Sequence, residues 1–330
     1  MYKFVIGLVL VSGLLVVPAI SSQRDLRKDF ERQVRISFPE AAPYSPQAAA
    51  LGKMLFFDPR LSGAQNMSCA TCHNPSFGWE TPVARAIGVL NQPLDRHAPT
   101  VENLAEADAL FWDGRASTLE EQAVGPITHP KEMNATLEEV VNRLAEIATY
   151  QRLFNIAFPH EGLTRDTVLG ALSTYQRTLR SGWAPFDDWV QGDESAISED
   201  AKRGFELFVG EAHCALCHTG WALTDHSFHA VGIPSDDPGR GAIVSDDQGM
   251  FKTPGLRNIA LRAPYMHDGS LATLRDVLVH YRQGGAENFP RDNSITPLEI
   301  SERDIDDIMA FLNTLTAYDP HVSAPALPAE

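Results

Sequence analysis

Every cysteine of this 330-residue chain belongs to one of two Cys-x-x-Cys-His pentads, Cys69-Ala70-Thr71-Cys72-His73 and Cys214-Ala215-Leu216-Cys217-His218. Two thiols at this spacing can add across the two vinyl groups of one porphyrin while the adjoining histidine comes under the iron, so the pentad is the attachment signature of c-type haem. Two pentads with no thiol left over predict two covalently bound haem c groups, with His73 and His218 as iron ligands. Other chemistries use paired cysteines. Four thiolates can hold a structural zinc, and a Cys-x-x-Cys pair can be a dithiol redox centre, but neither needs a histidine directly after each pair. A disulfide framework is weaker still, because a chain of this length builds its core without staples.

The N-terminus agrees with covalent haem. Lys3, the apolar run from Phe4 to Val17 and the small-residue exit Ala19-Ile20-Ser21 read as a secretory signal peptide over residues 1–21. Haem is attached covalently outside the bacterial cytoplasm, so the expected location is periplasmic. A membrane contact is expected only if the signal segment stays uncleaved, since no other apolar stretch approaches the roughly 18 residues of a membrane helix. The formal charge of -16 becomes one unit more negative when Lys3 leaves. Such acidity argues against nucleic acid and favours neutral, basic or locally complementary partners.

Length and a 44% hydrophobic composition point to two globular domains. An internal echo locates them: Gly52-Lys53-Met54-Leu55-Phe56-Phe57 precedes the first pentad and Gly204-Phe205-Glu206-Leu207-Phe208 the second, each reading as a helix that ends before its haem. Residues 22–185 are expected to form the first haem domain, 186–194 a crossover and 195–330 the second. Ser198, followed by Glu199 and Asp200, supplies an oxygen cap and first-turn negative charge for a helix start. Leu137, Val140, Val141 and Leu144 share a helix face, as do Ile305, Ile308, Met309 and Leu312 in the segment opened by Ser301. Strand signals are few. The predicted architecture is mainly α, with two cytochrome c-like haem domains and long irregular loops.

Beyond the pentads lie Phe111-Trp112-Asp113-Gly114-Arg115-Ala116, then Leu119, Gln122, Ala123, Gly125-Pro126 and Glu132-Met133. Further on, Leu256-Arg257-Asn258-Ile259-Ala260-Leu261 leads through Ala263-Pro264-Tyr265 to His267 and Gly269. In this order and spacing the chain resembles the bacterial dihaem cytochrome c peroxidase and MauG superfamily, from about Leu51 to Leu315. The resemblance implies that peroxide reacts at the N-terminal haem, ligated by His73, and that the C-terminal haem, ligated by His218, relays electrons. Trp112 matches the tryptophan between the haems. Gln122, Pro126 and Glu132 match the pocket over the reactive iron. Chemistry gives these residue types a reason, because cleaving the O–O bond of hydrogen peroxide needs a group that carries a proton from one oxygen to the other. Glu132 is the expected shuttle. Without the motif context, Glu132 would read as a solvated acid and Trp112 as a core aromatic.

Two positions depart from the peroxidase pattern. Typical members carry a capping histidine sixteen residues after the first pentad's histidine, where this chain has Val89. The reactive haem is therefore expected to be open, with His97 as the one nearby replacement ligand. Fourteen residues past His267, where the peroxidases place a methionine ligand, stands Tyr281. Leu274, Val277, Leu278 and Tyr281 follow helical spacing, so the phenol shares the apolar face while His280 turns about 100° away. MauG-like members have tyrosine here. An anionic phenolate favours ferric haem and lowers its potential, whereas a thioether raises it. The family also places calcium between the haems, held by an asparagine and by backbone carbonyls at positions matching His97, Arg262 and Pro264; histidine suits a hard cation poorly, but the backbone oxygens could still serve.

Three functions follow. The first is a periplasmic dihaem peroxidase of the MauG-like kind, oxidising a protein or aromatic substrate with hydrogen peroxide. The second is a cytochrome c peroxidase that reduces peroxide to water with electrons from a small cytochrome c or cupredoxin. The third is a non-catalytic dihaem electron carrier, which would have no use for Glu132 and Gln122.

Overall fold

A computed structural model describes residues 25–40, 42–318 and 322–329; the expected signal peptide, residues 1–21, lies outside them. The described chain is mainly helical, and its α-helices divide between two hydrophobic cores. Among the described residues no helix is long and apolar enough to cross a membrane.

The first core is built on α1 (Pro46–Phe57) packed across α6 (Arg165–Thr178), with α2 (Cys69–Cys72), α3 (Leu119–Thr128), α4 (Leu137–Ala145) and α5 (Ala148–Ala157) around them. Ser45 starts α1 by accepting the Ala48 amide at 3.2 Å, with Pro46 already holding a helical φ. The helix then buries Leu51, Leu55 and Phe56. Gly52 sets how closely it can approach α6: a Cβ there would fall 1.9 Å from the Ala171 carbonyl oxygen.

The second core repeats the device. Helix α8 (Glu199–Val209), capped by Ser198 on the Ala201 amide at 3.2 Å, packs across α10 (Glu302–Asn313). At that crossing a Cβ on Gly204 would lie 1.9 Å from the Asp307 carbonyl oxygen. The expected helix faces are present: Leu137, Val140 and Leu144 are buried on α4, and Ile305, Ile308 and Leu312 on α10. Ser301 opens α10 in a reciprocal cap with Asp304.

The segment read as a crossover carries its own helix, α7 (Pro185–Val190). Phe186 and Trp189 bury in the second core, where Phe186 meets Phe311 at 5.4 Å. Phe30, far upstream, packs there too, 5.4 Å from Phe205. Apolar rings at 30 and 186 thus go where an aromatic cluster exists, irrespective of chain order.

Between α2 and α3, and between α8 and α9 (Leu274–Arg282), the chain runs in long loops fixed by buried polar contacts. The single sheet among the described residues pairs β1 (Phe228–His229) antiparallel with β2 (Phe251–Lys252), Phe228 opposite Lys252. The two halves are joined by named hydrogen bonds. The Lys252 amide donates to the Trp112 carbonyl at 2.8 Å, and the His97 amide to the His267 carbonyl at 2.8 Å. Asn258 donates its side-chain amide to Glu102 at 2.9 Å, while its own oxygen accepts the Ala317 amide.

Candidate haem sites

Both pentads present the same local chemistry. Each histidine amide donates back to the first cysteine's carbonyl at 2.9 Å, which brings the thiols and the imidazole onto one tight turn. His73 Nδ1 lies 3.2 Å from the Trp79 carbonyl, and His218 Nδ1 lies 3.0 Å from the Leu223 carbonyl. A backbone carbonyl can only accept, so Nδ1 is the protonated nitrogen and Nε2 keeps the lone pair a metal ligand needs. Burial pushes both imidazoles below the usual histidine range, reinforcing the neutral form. The four thiols are free, and burial raises Cys69 and Cys214 to about 12 and Cys72 and Cys217 to about 11.

The carbonyls that orient the histidines come from strained residues. Trp79 has φ 64 and Leu223 φ 53, left-handed conformations that bulky side chains seldom adopt. Sequence reading does not single out either residue, because its signals are side-chain types and both contribute a backbone oxygen.

Around the first pentad is a cavity of about 810 Å³, within the range of cofactor sites. Cys69, Cys72 and His73 line it together with Gln122, Pro126, Glu132, Trp112 and His97. Gln122 and Pro126 stand one turn apart on α3; the proline has no N–H to give the Gln122 carbonyl. Glu132 is half-buried, 3.8 Å from His129, and burial lifts its carboxyl above the usual range against the opposing pull of His129 and Arg115. Gly88 fixes this segment: its own Cβ would fall 1.8 Å from the Lys131 carbonyl oxygen, and the next residue, Val89, donates its amide to the Glu132 carbonyl at 3.1 Å. Val89 itself is buried in the first core. The Trp112 indole donates to the His97 carbonyl at 2.8 Å.

The second pentad faces a different partner. Tyr281, in the last turn of α9, has its phenol pushed well above the usual range, first by burial and then by the nearby Cys214 and Cys217. Its neighbour His280 is turned away and bonded to the Val231 carbonyl at 2.8 Å. Leu274 and Leu278 bury on the same face.

His97 has both ring nitrogens engaged, Nε2 with Glu80 at 3.1 Å and Nδ1 with the carbonyls of Val83 and Ala84 at 3.2 Å. Arg262 is buried, its guanidinium 3.6 Å from Glu80, and Pro264 follows a cis bond. At these three positions the side chains offer an imidazole, a guanidinium and a pyrrolidine ring. None of these side chains supplies an anionic oxygen, so the ligands these positions could offer a hard cation are their backbone carbonyls.

A chain with two such haem-binding pentads, one opening on a cavity that holds Glu132 and Gln122 and the other near a half-buried tyrosine, is a dihaem oxidoreductase by class. Residues 46–195 match the family of di-haem cytochrome c peroxidases, which includes MauG, and residues 201–316 match cytochrome c. The chain is 48% identical to the methylamine utilization protein MauG of Methylorubrum extorquens, over 96% of this chain and 92% of that one. It is 37% identical to the cytochrome c551 peroxidase of Nitrosomonas europaea, over 87% and 85% of the two chains. The crystal structure of a MauG-like protein associated with microbial copper homeostasis superimposes with a TM-score of 0.80 at 32% identity, covering 86% of this chain and 93% of that one. The protein therefore belongs to the dihaem cytochrome c peroxidase and MauG family. It is a dihaem peroxidase-type oxidoreductase of two cytochrome c-like domains.

Proposed function

We propose that this protein is an exported, periplasmic peroxidase that uses hydrogen peroxide to oxidise a protein or aromatic substrate, with electrons passing from the C-terminal to the N-terminal haem. The observation that carries this reading is Tyr281, a phenol facing the second pentad where a peroxidase would have methionine. Domain limits of 22–185 and 195–330 accompany it, as does covalent attachment through Cys69 and Cys72, and through Cys214 and Cys217. His73 and His218 would hold the two irons through Nε2, and Tyr281 would ligate the second. When bound, c-type haem supplies redox-active iron able to exchange electrons with peroxide.

The rest falls to side chains. Glu132 accepts a proton from one peroxide oxygen and returns it to the other, a task suited to a carboxyl whose affinity for protons is raised by burial. Gln122 orients the peroxide through its amide, and Pro126 keeps a ring rather than a donor beside it. Trp112 lies at the join of the two halves and offers an oxidisable ring between them. His97, with both nitrogens engaged, stays off the iron and leaves the first site open. A calcium ion between the halves would be held by the backbone carbonyls at His97, Arg262 and Pro264 and has no step in the proton chemistry.

Peroxide reduction to water at the expense of a small redox protein is the second reading, favoured by the likeness to the Nitrosomonas peroxidase. Substituting Tyr281→Met separates the two. The native protein is expected to turn over slowly with reduced cytochrome c and to have a low C-terminal haem potential, and the variant to raise both. Rapid native turnover at a histidine–methionine potential would overturn the first reading.

A further inference from the structure

We propose that His226, Lys252 and His267, three basic side chains of the second half, form a carboxylate-binding wall for the propionates of the haem carried by the first pentad. The inference rests on the haem reading above and adds the residues that grip the group from the opposite half.

All three side chains line the cavity that holds Cys69, Cys72 and His73. Most of the other cations around it are already matched. Arg96 lies between Asp113 and Asp237, both at 2.6 Å; Arg115 pairs with Asp113 and stacks on Phe111; Lys131 pairs with Asp95. Arg85 is exposed. By contrast, His226 Nδ1 and His267 Nε2 are buried without a partner, and Lys252 Nζ donates no hydrogen bond among the described residues. The acids facing them are few: Asp108, exposed, acts on Lys252 and His226, Asp225 acts on His226, and Asp268 and Asp237 act on His267. Asp237 is already taken by Arg96 and Asp225 by His229.

His267 is buried and His226 and Lys252 are half-buried, and leaving such basic groups unmatched is costly, since their charged forms lose solvation with nothing in return. Burial accordingly depresses Lys252 to about 8 and His267 to about 4, and lowers His226. A ligand bearing two carboxylates would reverse that penalty, and a porphyrin anchored on Cys69 and Cys72 brings two into this cavity. The wall is also held rigidly. The His267 ring lies flat on Phe251, with centroids 3.6 Å apart and planes at 10°, and Lys252 sits in the β1–β2 pair. The same residue, Lys252, donates its amide to the Trp112 carbonyl. Haem bound covalently to one half would therefore be clamped by the other, beside Trp112.

A free carboxylate or inorganic anion could use the same chemistry, so the test distinguishes the sources. In a crystal structure of the holoprotein, each carboxylate of the haem on Cys69 and Cys72 should accept a hydrogen bond from at least one of the three side chains. Lys252→Met should retain both covalent haems yet lower the midpoint potential of the N-terminal haem, because a nearby positive charge that favours reduction is lost. It should leave the C-terminal potential in place and speed hydrogen exchange of β1 and β2 at least about tenfold, the loss of one charge-assisted hydrogen bond. Haem carboxylates turned to solvent, with water or a free anion on the wall, would overturn the proposal. So would an unmoved N-terminal potential. Absence of covalent haem would instead strike the reading beneath it.

Discussion

The two pentads hold their histidines by the same device and then part company. On one side of each, an imidazole is aimed by a left-handed residue's carbonyl, Trp79 or Leu223, and a helix pair crosses at a glycine, Gly52 or Gly204. On the other, the first pentad opens on a cavity with Glu132, Gln122 and Pro126, while the second faces Tyr281 from α9. The repeated part aims the imidazole, the same task in both halves. The divergent part is what each histidine faces, a cavity in one half and a phenol in the other, and under the proposed function this is where the two halves take different roles. Breaking either part tests whether that division is real.

Removing attachment has the largest effect. Cys69→Ser with Cys72→Ser should yield a protein with only the C-terminal haem and no peroxide reaction. Cys214→Ser with Cys217→Ser should keep the N-terminal haem but lose electron exchange with it. Denaturing mass spectrometry and stopped-flow traces check both, and a reactive protein lacking the first cysteine pair would dissolve the contrast.

Glu132 comes next. Glu132→Gln should retain both haems and slow the peroxide reaction by at least about 10²-fold, the range of a lost general acid–base; Gln122→Ala should cost less. Because the shuttle must start ionised, protonation inactivates it, so the rate should fall as pH drops through a midpoint above the ordinary glutamate range. Arg115 holds that midpoint down, so Arg115→Ala should move it further up. A pH–rate profile unmoved by Arg115→Ala would remove Glu132 from the acid limb. No equivalent profile is expected for substitutions at Tyr281.

The crossings give a smaller, symmetric effect. Ala at Gly52 or Gly204 drives a Cβ to 1.9 Å from a facing carbonyl oxygen, so each helix pair must separate. About 1–3 kcal/mol of destabilisation is expected for each, the usual range for overpacking. Thermal unfolding of the holoproteins measures it. A large loss at one glycine with none at the other would show that the halves do not share this device.

These glycines also mark what could be read from the sequence alone. The echo containing Gly52 and Gly204 was visible, as were the pentads, the Ser198 cap and the faces of α4 and α10, because each is a local pattern of residue types. The carbonyls of Trp79 and Leu223 were not, since their role depends on backbone conformation at residues that disfavour it. Gly88 escaped for a similar reason: what fixes its importance is the Lys131 carbonyl, distant in sequence and brought close by loops without periodicity. The same loops gather His226, Lys252 and His267 into one wall. The α7 helix hid in the stretch read as a crossover, although Pro185 is well placed in its first turn.

The smallest expected effect lies at the starts of the two echoed helices. Ser45 and Ser198 each accept an amide at 3.2 Å, so either serine-to-alanine change should cost about 1 kcal/mol. They should not cost the same. Helix α8 keeps Glu199 and Asp200 in its first turn, where negative charge is stabilised by the positive end of the helix dipole, whereas α1 has no acid there and relies on Ser45 with Pro46. Ser45→Ala should therefore destabilise the holoprotein by a few tenths of a kcal/mol more than Ser198→Ala, in line with the size of one exposed charge–dipole interaction. Raising the salt concentration screens the α8 acids and should narrow the gap. If Ser198→Ala proves the costlier change at low salt, the first-turn acids contribute little, and the difference between the two helix starts lies in their packing.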